Sequence, residues 1–160
     1  MATKASKEFH EQGRLLHAAI PLEGHCLHLV GVYGHPNSAT CREQAAKKEP
    51  LLQEAMQMVA RLGGAPAILA GDLNTTVEAS PCLLESTRFH GITDLACVCG
   101  EPQPTCFQQV KSQGTRIDHA LANPAAASLM RSFDVMQDTG LPTHRPLQVR
   151  LSVDGLSQEG

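Results

Sequence analysis

Apolar positions cluster first in two runs, residues 14–20 and 25–33, separated by Pro21-Leu-Glu-Gly24. Runs of this length read as strands, and so short a turn cannot hold a parallel crossover, so the two are expected to pair antiparallel. The period then changes. Leu51, Leu52, Ala55, Met56, Val59 and Leu62 recur at three- and four-residue spacing, which puts them on one face of a helix that Gly63-Gly64 ends. Upstream, Thr40 and Glu43 have capping-box spacing, and Pro50 predicts a short first helix followed by a second that starts at the proline.

Residues 67–71 form a short apolar run that delivers Asp72-Leu-Asn74 at its carboxyl end. Ser80 followed by Pro81 predicts a capped helix over 80–88, and 97–114 reads as loop. Strands are expected at 115–122, 133–136 and 147–153, the last with clean alternation. Residues 1–12 are polar without a clear period, and 154–160 read as a frayed tail. The domain is therefore placed at 13–153.

Composition narrows the function classes. One domain of ordinary size fits 160 residues, and 42% apolar residues exclude disorder as the whole answer. Thirteen basic against sixteen acidic side chains leave a net charge of -3, so any phosphate-binding site must be local rather than a diffuse basic field. With aromatics at 3%, leucine, alanine and valine must fill the core. Six cysteines without a secretory apolar segment fit a reduced, intracellular protein, and no apolar run is long enough to span a bilayer. A zinc reading of His25, His28, Cys97, Cys99 and Cys106 is disfavoured, because no CxxC pair exists and histidines three apart on a strand face opposite ways. The cysteines read instead as small buried hydrophobes.

Three segments carry candidate chemistry: Gly71-Asp-Leu-Asn74, Arg116-Ile-Asp-His119 and Pro142-Thr-His-Arg-Pro146, each at a strand end or in the loop beside one. In this order, with Tyr33 and a following Pro36-Asn37, the chain resembles the endonuclease/exonuclease/phosphatase superfamily, which includes DNase I-like nucleases, abasic-site endonucleases and endonucleases of non-LTR retroelements. The resemblance implies an α/β fold (α+β in organisation), a four-layer sandwich of two mixed β-sheets flanked by helices, of which this chain supplies a part, the N-terminal portion being missing. It implies phosphodiester hydrolysis with Mg²⁺ or Mn²⁺ as cofactor.

By the same resemblance, Asp72 activates or positions the attacking water and Asn74 orients it. His144 donates to the scissile phosphate, Asp118 partners His144 and fixes its tautomer, and Tyr33 assists. Asn37 and Arg116 are implied as substrate contacts. Such a reaction needs a base, donors for the charge that builds on the phosphoryl oxygens, and commonly a divalent ion. The expected partner is nucleic acid or another phosphodiester, with a nuclease favoured over a lipid or inositol phosphatase.

Two departures stand out. Thr143 occupies the position where the family carries a metal-associated aspartate, and the family's main glutamate metal ligand has no counterpart, Glu8 and Glu11 lying in a polar stretch. The metal ligands are thus left unassigned. The chain is expected to be a fragment or remnant that needs a missing N-terminal segment or another chain to complete its fold. An inactive remnant or interaction module of the same fold is the alternative function.

Overall fold

In the computed structural model, which describes residues 3–22, 24–38, 40–108 and 113–152, strands β1 (Leu15–Leu22) and β2 (His25–Val32) pair antiparallel. Pro21 does not end β1. The strand lies at the edge of the sheet, where a residue without an N–H costs little pairing. From β2 the chain crosses through helix α2 (Arg42–Arg61) to β3 (Ala67–Asp72), which runs parallel to β2.

Helix α2 passes through Pro50 without a break, contrary to the two-helix expectation. Proline inside a helix costs about 3 kcal/mol, whereas full burial of a leucine is worth about 1.5–3 kcal/mol. Leu51 and Leu52 are both fully buried, and Ala55, Met56 and Val59 follow them into the same core. One continuous helix keeps that whole stripe against the sheet, and its burial outweighs the lost hydrogen bond. The capping box does not form either: Cys41 is the N-cap and its side chain makes no capping bond, while the Thr40 hydroxyl donates to the Asn37 carbonyl.

The segment read as aperiodic contains helix α1 (Lys4–Glu11). Thr3 caps it by accepting from the Ser6 amide at 3.0 Å, and its hydroxyl donates to Glu54 on α2 at 2.7 Å. Phe9 packs against the core. Helix α3 (Pro81–Phe89) starts as expected, with Ser80 Oγ accepting from the Leu83 amide. After it come β4 (Thr93–Asp94), α4 (Leu95–Val98) and β5 (Asp118–Ala122), so the strand expected from 115 begins three residues later. Helix α5 (Pro124–Leu129), which the apolar pattern does not signal, is capped by Asn123. The last elements are β6 (Met130–Val135) and β7 (Leu147–Leu151); the end of the strand expected over 147–153 and the 154–160 tail fall outside the described residues.

Two sheets result. The larger is mixed, with order β1-β2-β3-β5-β4, and the smaller is the antiparallel pair β6-β7. Leu15, Val30, Leu69, Leu121 and the buried stripe of α2 form one core, with Leu73 and Leu83 beside them. Leu27, Ile68, Ala120 and Ala122 form a second, against which Phe133, Leu147, Val149 and Leu151 of the small sheet pack. This is the expected α/β architecture, two sheets with helices outside. Among the described residues no helix is long and apolar enough to cross a membrane.

Candidate active site

Strand register creates the site. β3 and β5 pair antiparallel with Asp72, the last residue of β3, directly opposite Asp118, the first of β5. Like charges facing each other across a ladder are destabilising, so folding alone gives no reason for this pair. Asp72 bears the consequence: burial first, and the neighbouring Asp118 charge next among the raising influences, lift its carboxyl above the ordinary aspartate range, although the Asn74 amide bound to Oδ1 at 2.9 Å opposes the rise.

His144 arrives from the loop before β7. Its Nδ1 lies 3.0 Å and 3.2 Å from the two Asp118 oxygens, and its Nε2 lies 3.9 Å from Asp72 Oδ2. With Nδ1–H donated to Asp118, Nε2 is the nitrogen left for chemistry. The loop is fastened to residues 105–107. Phe107 donates its amide to the Thr143 carbonyl at 2.9 Å, Arg145 donates to Thr105 at 2.7 Å, and Cys106 faces His144 in an antiparallel bridge. Thr105 Oγ1 also accepts from the amides of Ile117 and Asp118, so one buried threonine ties together the loops that carry both partners of the Asp118–His144 pair.

Asn74 adopts positive φ, +51°, a conformation that asparagine tolerates better than most residues. Its Nδ2 donates to the Gly34 carbonyl at 3.2 Å, which links the loop after β3 to the loop after β2. Two glycines permit that approach. A Cβ on Gly34 would sit 2.1 Å from the Leu73 carbonyl oxygen, and one on Gly71 would sit 2.0 Å from that of Val32.

The other residues singled out in the sequence are placed apart from this triad. Tyr33 is half exposed, with the Arg14 guanidinium over its ring and donating to the Tyr33 and Gly34 carbonyls. Asn37 also has positive φ, and its carbonyl closes a turn with the Thr40 and Cys41 amides. Arg116 is committed to Asp94 at 2.7 Å, both largely buried, and its second contact is His119 Nδ1 at 3.1 Å. His119 Nε2 donates to the Thr75 carbonyl at 2.9 Å; its pKa is pushed down by burial first and Arg116 next, in keeping with a neutral ring.

Sequence reasoning missed Thr105, Cys106 and Gly34, and it singled out Gly71 only as part of its motif. Cys106, set aside as a zinc ligand and read instead as a small buried hydrophobe, is indeed buried, with its Sγ 3.8 Å from His144 Nε2, whereas Cys26, Cys97 and Cys99 are exposed, contrary to that reading. Burial first, then Asp118 and Asp72, push its thiol pKa up. The segment Pro104-Thr-Cys-Phe107 carries no pattern in the sequence that marks it as part of a site.

A groove of about 520 Å³ opens beside the triad, lined by Asp72, Asp118, His144 and Arg145 at its polar end and by Leu27, Ile68 and Val149 further along. Candidate ligand atoms of Asp72, Asp118 and His144 lie within 4.8 Å of one another, a spacing that fits one metal ion. Two carboxylates suit a hard divalent cation and the imidazole a softer one. No comparable group joins the cysteines and histidines of the zinc reading among the described residues; His28 stacks on His17 instead.

The fold is that of the DNase I-like endonuclease/exonuclease/phosphatase structures, in part. The 3′ phosphatase NExo from Neisseria, bound to a product DNA hairpin, superposes at TM-score 0.67 with 18% identity over 87% of this chain and 65% of that one. The 3′-5′ exonuclease NExo from Neisseria meningitidis gives TM-score 0.67, 19% identity, and 86% and 64% coverage. An AP endonuclease from Archaeoglobus fulgidus gives 0.64, 19%, and 89% and 66%. The chain thus spans just under two-thirds of the length of these structures. No family model and no curated protein matches the sequence.

Proposed function

We propose that this chain carries the phosphate-hydrolysing half of an endonuclease/exonuclease/phosphatase-type enzyme that uses Mg²⁺ or Mn²⁺ and acts on a phosphodiester of nucleic acid. The observation that carries the reading is the convergence of Asp72, Asp118 and His144 at one end of an open groove. The solved structures with this fold, described as nucleases and a 3′ phosphatase, one of them bound to a DNA hairpin, support it.

The roles follow from the geometry. Asp72, with its carboxyl held above the ordinary range chiefly by burial, takes the proton of the attacking water. Asn74, clamped to Gly34 and to Asp72 through its own amide, positions that water. Asp118 fixes the His144 ring so that a protonated Nε2 donates to the phosphoryl oxygen as charge builds there. Tyr33 and Asn37 approach the substrate from the loop after β2, whereas Arg116 acts by holding Asp94 rather than by touching phosphate. Asp72 and Asp118 are the oxygen donors for the cation, which supplies charge neutralisation at the phosphoryl group when bound. A domain over 13–153, onto which α1 packs, and an intracellular location belong to the same proposal.

A second reading, an inactive remnant or interaction module, is favoured by Thr143, which offers no carboxylate beside His144. One experiment separates the two. Hydrolysis of bis(p-nitrophenyl) phosphate and of a labelled DNA hairpin is measured with Mg²⁺ or Mn²⁺, for the wild type and for Asp72→Ala and His144→Ala. The enzyme reading expects metal-dependent turnover that falls by about two to four powers of ten in each variant. Identical rates in all three proteins leave only the remnant.

A further inference from the structure

Resting on the reading of this groove as a phosphodiester site, we propose that Arg145 grips the anionic phosphoryl oxygens of the substrate through the Nε–Nη2 edge of its guanidinium. Arg116, the arginine that the sequence singles out as a substrate contact, is committed to Asp94 at 2.7 Å. Among the described residues lining the groove, Arg145 is the one lysine or arginine, and it stands next to His144 in the chain, at the end where Asp72 and Asp118 also meet.

The Arg145 side chain is held in place by neutral groups. Its backbone amide donates to the Thr105 carbonyl at 2.7 Å, and Thr105 is itself buried. Nη1 donates to the Leu141 carbonyl at 3.0 Å and to that of His144 at 3.4 Å, while the guanidinium carbon sits 5.1 Å from the centre of the Phe107 ring. No carboxylate among the described residues pairs with it. The contrast with other arginines is plain: Arg61 and Arg116 bond Glu54 and Asp94 at 2.6 Å and 2.7 Å. Thr143, beside His144, supplies no acidic partner either.

One edge of the guanidinium is therefore left over. Nε is buried without a hydrogen-bond partner, and Nη2 makes no bond among the described residues. The Nε–H and the Nη2 hydrogen beside it are parallel donors, spaced to meet two oxygens of one phosphate or carboxylate. A buried donor without an acceptor carries an uncompensated desolvation cost, which an incoming phosphoryl oxygen removes. A two-point grip also fixes the rotation of the phosphoryl group, which a point charge does not.

Charge balance assigns the same role. The facing carboxylates of Asp72 and Asp118 repel a phosphodiester, and a divalent cation between them cancels only their own two charges. The anion's charge then needs another cation. His144 supplies one only while it is protonated, whereas an arginine supplies one at every accessible pH. Arg145 is thus a binding and orienting group, and the proton transfers stay with Asp72 and His144.

The test is an NMR titration of the full 160-residue chain with dimethyl phosphate in the presence of Mg²⁺, read at the Arg145 Nε–Hε resonance. The expected result is a saturable downfield shift of Hε at Arg145 that neutral trimethyl phosphate does not produce. Arg145→Lys keeps the charge without the fork, and should weaken dimethyl phosphate binding about 10- to 100-fold, followed at the Asn74 amide. Arg150→Lys, at an exposed position of β7, should leave binding unchanged. Dimethyl phosphate that moves the Asn74 amide but not Arg145 Hε overturns the proposal and keeps the phosphodiester site, and so does wild-type affinity in Arg145→Lys. An equal shift with trimethyl phosphate also overturns it, because the grip is then not on an anion. Silence at both positions overturns the proposal and the phosphodiester site together. The wild-type titration decides alone if Arg145→Lys fails to fold. Turnover plays no part in the readout: an inactive protein that shows the Arg145 shift refutes the hydrolase and keeps the grip.

Discussion

The large sheet meets two very different neighbours. On one face Val30, Leu69 and Leu121 lie under the buried stripe of α2, where Leu51, Leu52 and Ala55 are fully buried. On the other face Leu27 and Ile68 are buried under the β6-β7 pair and two short helices, α4 through Leu95 and α5 through Ala126, and Leu29, Leu147, Val149 and Leu151 stay partly exposed. An isolated pair of strands is marginal by itself, whereas a twenty-residue helix closes an apolar face. The contrast divides the labour: the helix-covered face holds the fold, and the sheet-covered face leaves open the groove where Asp72, Asp118 and His144 meet.

The largest effect that sharpens this contrast uses the same truncation on each side. Leu69→Ala, at a fully buried position under α2, is expected to cost about 2–5 kcal/mol. Leu147→Ala, on the partly exposed cover strand, should cost about 1 kcal/mol, since less of the side chain leaves water on folding. Urea denaturation of both variants gives the comparison. Equal losses would mean that the two faces contribute alike to stability and that no such division of labour exists.

A smaller effect is expected at the seam where the strand-end loops meet. Gly34→Ala places a methyl 2.1 Å from the Leu73 carbonyl oxygen, a backbone atom that cannot swing aside. The loops must part, at a cost of about 1–3 kcal/mol. Because Asn74 is held by the Gly34 carbonyl, turnover should fall by more than the stability loss accounts for. Denaturation together with the hydrolysis assay at a temperature where the variant remains folded checks both. Full activity in a destabilised Gly34→Ala protein would show that this seam serves the fold alone.

What the sequence makes legible follows the same division. The α2 stripe, the β1-β2 turn and the Ser80 cap are readable because each is a local pattern whose consequence is local. Pro50 misleads because propensity is local while the burial that overrides it comes from the sheet. Asp72, Asp118 and His144 emerge from the order of three short segments, and strand register then sets Asp72 against Asp118. Cys106 and Thr105 cannot be found that way. Their place depends on a bridge between two loops 38 residues apart in sequence, and nothing in the local pattern signals such pairing. Arg116 illustrates the converse: its segment is conspicuous, yet its partner Asp94 lies 22 residues upstream and becomes visible only in the fold.

The smallest expected effect tests whether the groove side carries an electrostatic cost for its chemistry. The Asp72 carboxyl is raised above its ordinary value of 3.8, by burial first and by Asp118 among the other causes, so the folded state holds that proton more tightly than the unfolded chain does. The sign follows: this group's penalty is absent below the unfolded pKa, grows as pH rises through the folded one, and is complete at neutral pH. Asp72→Asn keeps an oxygen for the Asn74 amide and removes the charge. The variant should therefore melt a few degrees higher than the wild type at pH 7, and the difference should shrink toward zero as pH falls below about 4. Melting curves across that range, in a metal-free buffer, decide the point. A variant that melts lower at pH 7 would mean that the Asp72 charge is held by favourable contacts, and the groove side would then contribute to stability rather than draw on it.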